Sequence, residues 1–306
     1  LGLDLGSTSL PAAAAFVGTT LVMYGSIFAS DQLRVRSLVI SAIAVAVYMG
    51  LLFTTGGRLV IAGLVFVGVI LVLQRVRSGL PKVLVVAGLV PGLIIAAQQR
   101  SSVISATRGV RESGFESVVW PLDRLADLLT LSAKGAIDPS QGSTFLVSLL
   151  FWIPRALWPE KPNGFGAELV PVLRPDLIGT GHSEAATVLG EWVWNFGPAG
   201  LVGLPFAAAA TLYVVGRWRR RLPRGSSSSV LKIYSHVAFV LVVAGMFDLF
   251  WVGTFGFAER TGMRLLALGA ALCVAIALPR SQEKPLTARP HRASQVRSQR
   301  GRVPGS

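Results

Sequence analysis

Charge is scarce in this chain, and cysteine is almost absent. Only 14% of the residues are charged and 52% are hydrophobic, whereas an ordinary globular protein carries about 25% charged residues. With a mean hydropathy of +0.61 over 306 residues, a soluble domain is excluded. The apolar residues fall in blocks long enough to cross a hydrocarbon core, which takes about 20 residues per helix. The strand alternation of a membrane barrel is missing, and Ala/Leu/Val/Gly runs stand in its place. The single cysteine, Cys273, lies within an apolar run. It excludes an intrachain disulfide, argues against redox chemistry, and reads most simply as a small apolar helix residue. No Walker loop, dinucleotide fingerprint, zinc spacing, nucleophile elbow or Asp-rich cluster is present. ATP-driven transport and metal hydrolysis are therefore disfavoured, and neither a cofactor nor a metal is expected.

Acidic residues are also few, 15 against 29 basic ones, giving a net charge of +14. The bases do not form a nucleic-acid surface with interleaved aromatics. They occur as short runs between apolar blocks, as basic cytoplasmic loops do. Apolar spans are predicted at roughly 10–29, 37–54, 59–74, 82–98, 197–216, 231–249 and 263–279. Arg34 and Arg36, then Arg75, Arg77 and Lys82, then the run from Arg217 to Arg224, and the basic tail mark one side of the membrane. The chain opens at Leu1 without methionine or a basic n-region, so no cleavable signal is expected; this leaves room for further spans upstream. The expected fold is all-α, a polytopic helical membrane protein of about seven spans. It divides into a four-span N-terminal bundle (1–98), a non-cytoplasmic loop (99–196), a three-span bundle (197–279) and a disordered basic cytoplasmic tail (280–306).

The loop carries the chemistry. Ser143–Ile153 is apolar but reaches only about 16 Å as a helix, and Pro154 stops it. It reads as a re-entrant or interfacial helix. Pro121–Leu131 places Leu122, Leu125 and Leu129 on one face, which fits an interfacial helix and a packed lid helix equally. Phe151–Gly166 (FWIPRALWPEKPNGFG) holds Arg155 and Lys161 between prolines. Such cations suit a diphosphate at headgroup level, against the plainer reading of simple headgroup contact. In Gly179–Gly200, reading Ser183 onward as a helix puts Glu184, Thr187, Glu191 and Asn195 on one exposed ledge beside His182. Such a ledge suits sugar hydroxyls and a proton acceptor, or it is only a solvated helix face. Asp248, late in the sixth span, reads either as a functional intramembrane acid or as the structural partner of Arg260 or Arg264.

Together, Ile153-Pro154-Arg155, Leu157-Trp158-Pro159, Lys161-Pro162, His182-Ser183, Gly190-Glu191 and Asn195-Phe196-Gly197 resemble the oligosaccharide repeat-unit polymerases (O-antigen polymerase, Wzy-type). The resemblance covers about Thr144–Leu204. It implies a metal-independent membrane glycosyltransferase of the bacterial cytoplasmic membrane, acting in the cell envelope on polysaccharide biosynthesis. The implied substrates are oligosaccharides linked to polyprenyl diphosphate and displayed on the outer face of the lipid bilayer. One sugar hydroxyl attacks the anomeric carbon of the other chain and the lipid diphosphate leaves. The implied partners are a flippase and a chain-length regulator of the same pathway. On this reading Glu191, His182 and Glu184 are catalytic, and Arg155, Lys161, Trp158, Asn195 and Arg124 bind substrate. A related O-antigen ligase would use the same leaving group. A transporter or lipid-binding membrane protein would place polar residues inside several spans, whereas spans two to four are almost purely apolar.

Overall fold

The protein was analysed as a computed structural model. It describes residues 10–28, 35–52, 58–76, 116–153, 157–180, 182–222 and 229–278, with 79–80, 83 and 87. The predicted span at 82–98, the first part of the loop up to 115, Arg155 and the tail from 280 fall outside or almost wholly outside the described residues. Among the described residues all regular structure is helical. The helices are α1 (Leu10–Phe28), α2 (Val35–Leu52), α3 (Arg58–Arg75), α4 (Glu116–Ala133), α5 (Ser143–Leu149), the single turns α6 (Phe165–Glu168) and α7 (Val170–Leu173), α8 (Thr187–Phe196), α9 (Gly200–Arg221), α10 (Val230–Val252) and α11 (Thr254–Ala277). Leu10–Phe28, the joined run Thr187–Arg221, Val230–Val252 and Thr254–Ala277 are each long and apolar enough to cross a bilayer. The chain is a helical membrane protein. Two further apolar stretches, Val35–Tyr48 and Ala62–Arg75, are shorter.

A helical bundle of α1, α3, α10 and α11 closes over Phe16, Leu64, Val67, Leu71, Val237 and Leu241. Lipid supplies no hydrophobic drive between such helices, so close packing must hold them. The α10–α11 hairpin shows how: at Gly245 a side chain would run into Thr261 and Phe257, so the bare glycine lets the two helices touch.

Charge divides between the two ends of the bundle. The last turn of α9 carries Arg219, Arg220 and Arg221. Trp218 beside them packs edge-on against Phe239, in the first half of α10. Arg75 closes α3 with its guanidinium 4.5 Å from the Phe28 ring at the end of α1. Every acid among the described residues, from Glu116 to Glu259, lies instead in the loop region or within about two turns of the α10–α11 junction.

The loop region is built at that acidic end. Leu128 of α4 is fully buried against Phe165 and Val193. Of the leucine face read from the sequence, Leu129 is partly buried against this cluster, whereas Leu122 is 52% exposed; Leu128 fits against Gly190 of α8. α5 ends at Leu149, short of the apolar run to Ile153, and turns follow. It descends beside α11: Ser148 Oγ is 3.1 Å from Thr254 Oγ1, and the Phe151 ring fills the space a side chain on Gly262 would need. Gly164 brings the chain back beside Phe255, near the start of α11.

Gly245→Leu should wedge α10 from α11 and destabilise the bundle by about 1–3 kcal/mol. A thermal melt of the detergent-purified protein tests this, and an unchanged midpoint would contradict the packing described.

Candidate functional site

Two polar clusters share the loop end. The deeper one centres on Glu191, in the middle of α8 and 0% exposed. Its Oε2 accepts from the Thr254 backbone N–H at 2.5 Å. Its Oε1 accepts from Thr254 Oγ1 at 2.6 Å and from Thr144 Oγ1 at 3.0 Å. Asn195, one turn along α8, donates from Nδ2 to Thr144 Oγ1 and to Glu191 O, each at 2.7 Å. Ser140 Oγ donates to Asn195 Oδ1 at 2.8 Å. The backbone N–H groups of Ser140 and Gln141 donate to Trp194 O and Asn195 O, partners that a helix C-terminus otherwise lacks. Gly253 completes the arrangement. Its φ of +89° favours glycine, and a side chain there would strike the Glu191 carboxylate.

The shallower cluster lies between α4 and the segment leading into α8. Glu184 is 2% exposed. Its Oε2 accepts from Trp120 Nε1 at 2.8 Å and has Arg124 Nε at 3.7 Å. Its Oε1 faces His182 Nε2 at 3.1 Å. A carboxylate only accepts, so Nε2 is the donor in this contact, and in the neutral ring Nδ1 is left to accept. The His182 side chain is 42% exposed, so the imidazole sits at the surface on a buried support. Arg124 donates to Asp127 at 2.7 Å and lies 4.1 Å over the Trp120 ring. Arg174, 6.0 Å from that ring, binds Asp176 through two hydrogen bonds of 3.0 Å each. That fork holds the Asp176 carboxyl below its usual value. Backbone pairing fixes the segment, with Glu184 N–H donating to Gly166 O at 2.9 Å.

The exposed ledge expected from the sequence does not exist in that form. The helix begins at Thr187, not Ser183, and Glu184, Thr187, Glu191 and Asn195 are all buried. Packing of α8 against α4, α5 and the α10–α11 junction covers the face that periodicity alone would leave to solvent. The predicted site residues therefore separate. Arg124, His182 and Glu184 meet in the shallow cluster, and Glu191 and Asn195 meet in the deep one. Lys161 is 8% exposed and donates from Nζ to Phe151 O and Ile153 O, both at 2.9 Å. It braces the turn after α5 instead of projecting from it. Trp158 is half-buried, with its carbonyl accepting from Lys161 N–H. Arg155 lies outside the described residues.

Sequence reasoning missed Trp120 and Arg174, which no motif marks. It also missed Thr144 and Thr254, whose hydroxyls gain meaning only once Glu191 lies between them. Among the described residues no group of three His, Cys, Asp or Glu is placed to hold a metal ion. No family model, curated protein or solved structure matches the chain.

Glu191→Ala strands three donors in a buried place and should cost about 2–4 kcal/mol. Glu191→Gln should cost much less, because both threonine hydroxyls can reverse and accept from the amide. Paired melts decide this, and equal losses would contradict the network. A second test uses Glu168, whose carboxyl is pushed above its usual value by burial, against the lowering hydrogen bond from Trp194. A raised pKa favours the protonated fold, so its contribution is present in acid and fades as pH rises through that pKa. Glu168→Gln should then raise the melting temperature at about pH 7 and leave it unchanged near pH 4; an equal effect at both would contradict the assignment.

Proposed function

We propose that this protein polymerises oligosaccharide repeat units carried on polyprenyl diphosphate, by glycosyl transfer on the outer side of the cytoplasmic membrane. The observation that carries the reading is the half-exposed His182 imidazole held by buried Glu184, itself braced by Trp120 and Arg124. A base oriented by a second group is the arrangement that activates a hydroxyl nucleophile. The acceptor sugar hydroxyl gives its proton to His182 Nδ1 and its oxygen bonds the anomeric carbon of the donor. The bond from that carbon to the phosphate oxygen breaks, and the lipid diphosphate leaves with the electron pair. Trp120 and Arg124 hold the other carboxylate oxygen of Glu184 and so steady the support on which the imidazole rests.

Topology agrees with this direction of work. The basic end of the bundle faces the cytoplasm by the positive-inside bias, which leaves both polar clusters at the opposite face. On this reading the chain crosses the membrane about seven times. Ser143–Ile153 is then a re-entrant or interfacial segment whose end Lys161 braces. Arg155 meets the leaving diphosphate, and Glu191 and Asn195 position α8 instead of taking the proton. A flippase supplies the donor from the inner face, and a chain-length regulator acts beside the polymerase.

The test is expression in a bacterium deleted for its own repeat-unit polymerase, with surface glycan resolved by gel. Long-chain glycan is expected from the parent chain and from Glu191→Gln. His182→Ala and Arg155→Ala should give single repeat units, at more than about 100-fold lower polymer yield. Undiminished polymer from His182→Ala would remove the imidazole from the mechanism. Repeat units left single by a well-folded parent chain would contradict the function itself.

A further inference from the structure

α2 rests mainly on α1 and barely touches the rest of the bundle. Near the basic end Ser26 Oγ lies 3.0 Å from Ser41 Oγ and 3.3 Å from Ser37 O. Deeper in, Tyr48 meets Phe16 edge-on, with ring centroids 5.9 Å apart. Beside this seam runs an open groove of about 370 Å³, lined by Thr19 and Val22 of α1 and by Ile40, Ile43, Ala44 and Val47 of α2. Its wall is apolar. The single hydroxyl there, on Thr19, donates to Ala15 O at 2.9 Å, which leaves hydrocarbon as the fitting occupant.

Lipid lies against every membrane-facing helix, so a seated lipid needs something more than an apolar wall. Arg36 supplies it. Arg36, Ile40, Ala44 and Val47 follow one another at four- and three-residue steps and so share one face of α2. The cation is exposed and stands one turn beyond the groove, toward the basic end. From Arg36 to Val47 the helix rises about 16 Å, half of a hydrocarbon core about 30 Å thick. An acyl chain of one leaflet covers that depth. Spread over the roughly 10 Å from Ile40 to Val47, the groove is about 7 Å wide, too narrow for a helix with side chains at about 10–12 Å.

Charge selects among lipids. Among the described residues no acid lies at this end of the bundle. The ammonium of a zwitterionic headgroup would find no carboxylate there, whereas a net negative headgroup meets Arg36 unopposed. We infer that the α1–α2 groove seats one acyl chain of an anionic phospholipid in the leaflet on the basic side, with the lipid phosphate at Arg36. The lipid completes the packing of α2, which the other helices leave open. It stands apart from the glycosyl transfer proposed above, which takes place at the opposite face, and does not rest on that reading.

The experiment titrates dioleoyl phosphatidylglycerol, dioleoyl phosphatidylcholine and glycerol phosphate into the detergent-purified full chain and follows the melting midpoint. Phosphatidylglycerol should raise the midpoint at about fivefold lower concentration than phosphatidylcholine, the preference that one arginine at an anionic lipid surface confers. Glycerol phosphate, which has no acyl chain, should leave the midpoint where it is. Arg36→Gln should remove the preference, and Arg220→Gln at the end of α9 should keep it. Ala44→Phe fills the groove and should abolish the response to both lipids. An equal response to the two lipids, a preference that survives Arg36→Gln or is lost equally in Arg220→Gln, a rise with glycerol phosphate, or undiminished binding by Ala44→Phe would overturn the inference. Disulfide-linked dimers of Ile43→Cys in native membranes, in a Cys273→Ser background, would put a second copy in the groove and overturn it as well.

Discussion

The loop end of this protein depends on where the Glu191 carboxylate lies. One side chain in α8 receives the Thr254 N–H and the hydroxyls of Thr254 and Thr144. It thereby joins three elements far apart in sequence: the descending α5, the helix leading into α9, and the junction of α10 and α11. Each of these donors would otherwise stand unpaired in a place that excludes water, where the loss of a partner is far more costly than at a surface. The carboxylate therefore fixes the loop against the bundle with more precision than apolar packing gives. Gly253 is the backbone condition for it, since a side chain there would occupy the carboxylate's position.

From that fixed point the rest of the loop end is placed. α8 held in one rotation turns Gly190 toward Leu128, which sets α4, and α4 carries Trp120 and Arg124 to Glu184. The His182 imidazole is then supported from beneath by groups that cannot move independently. Under the proposed function this preorganisation would serve a general base, because the cost of ordering it is met during folding. The division of labour between two carboxylates seven residues apart follows from environment. Glu191 is enclosed by donors from three elements, and Glu184 stands one residue layer below the surface with an imidazole on its outer side.

Much of the bundle could be read from the sequence, because spans are set by length and apolarity alone. The predicted 10–29, 231–249 and 263–279 stretches overlap α1, α10 and α11 closely. The last helix starts nine residues earlier than predicted, at Thr254; Glu259 and Arg260 lower the hydropathy of its first turns and so hid them. Arg260 and Arg264 pair with Asp248 inside the bundle. The site was legible as a list of residues but not as a geometry. Four-residue spacing correctly placed Glu191 and Asn195 on one face, yet periodicity cannot say whether water or another helix meets that face. Lys161 reads as a projecting cation because prolines surround it, and the carbonyls it binds appear only when the chain turns after α5. Trp120 and Arg174 become site residues only through contacts that cross the loop.

For His182 to meet a substrate on the outer side, its imidazole must face the side of the membrane away from the basic helix ends. Thr180, exposed and two residues from His182, can report that side directly once Cys273 is replaced by serine. Thr180→Cys in that background should react with a membrane-impermeant maleimide in intact spheroplasts, at the rate seen after lysis. Labelling that appears only after the membrane is broken would place the imidazole in the cytoplasm and contradict the account.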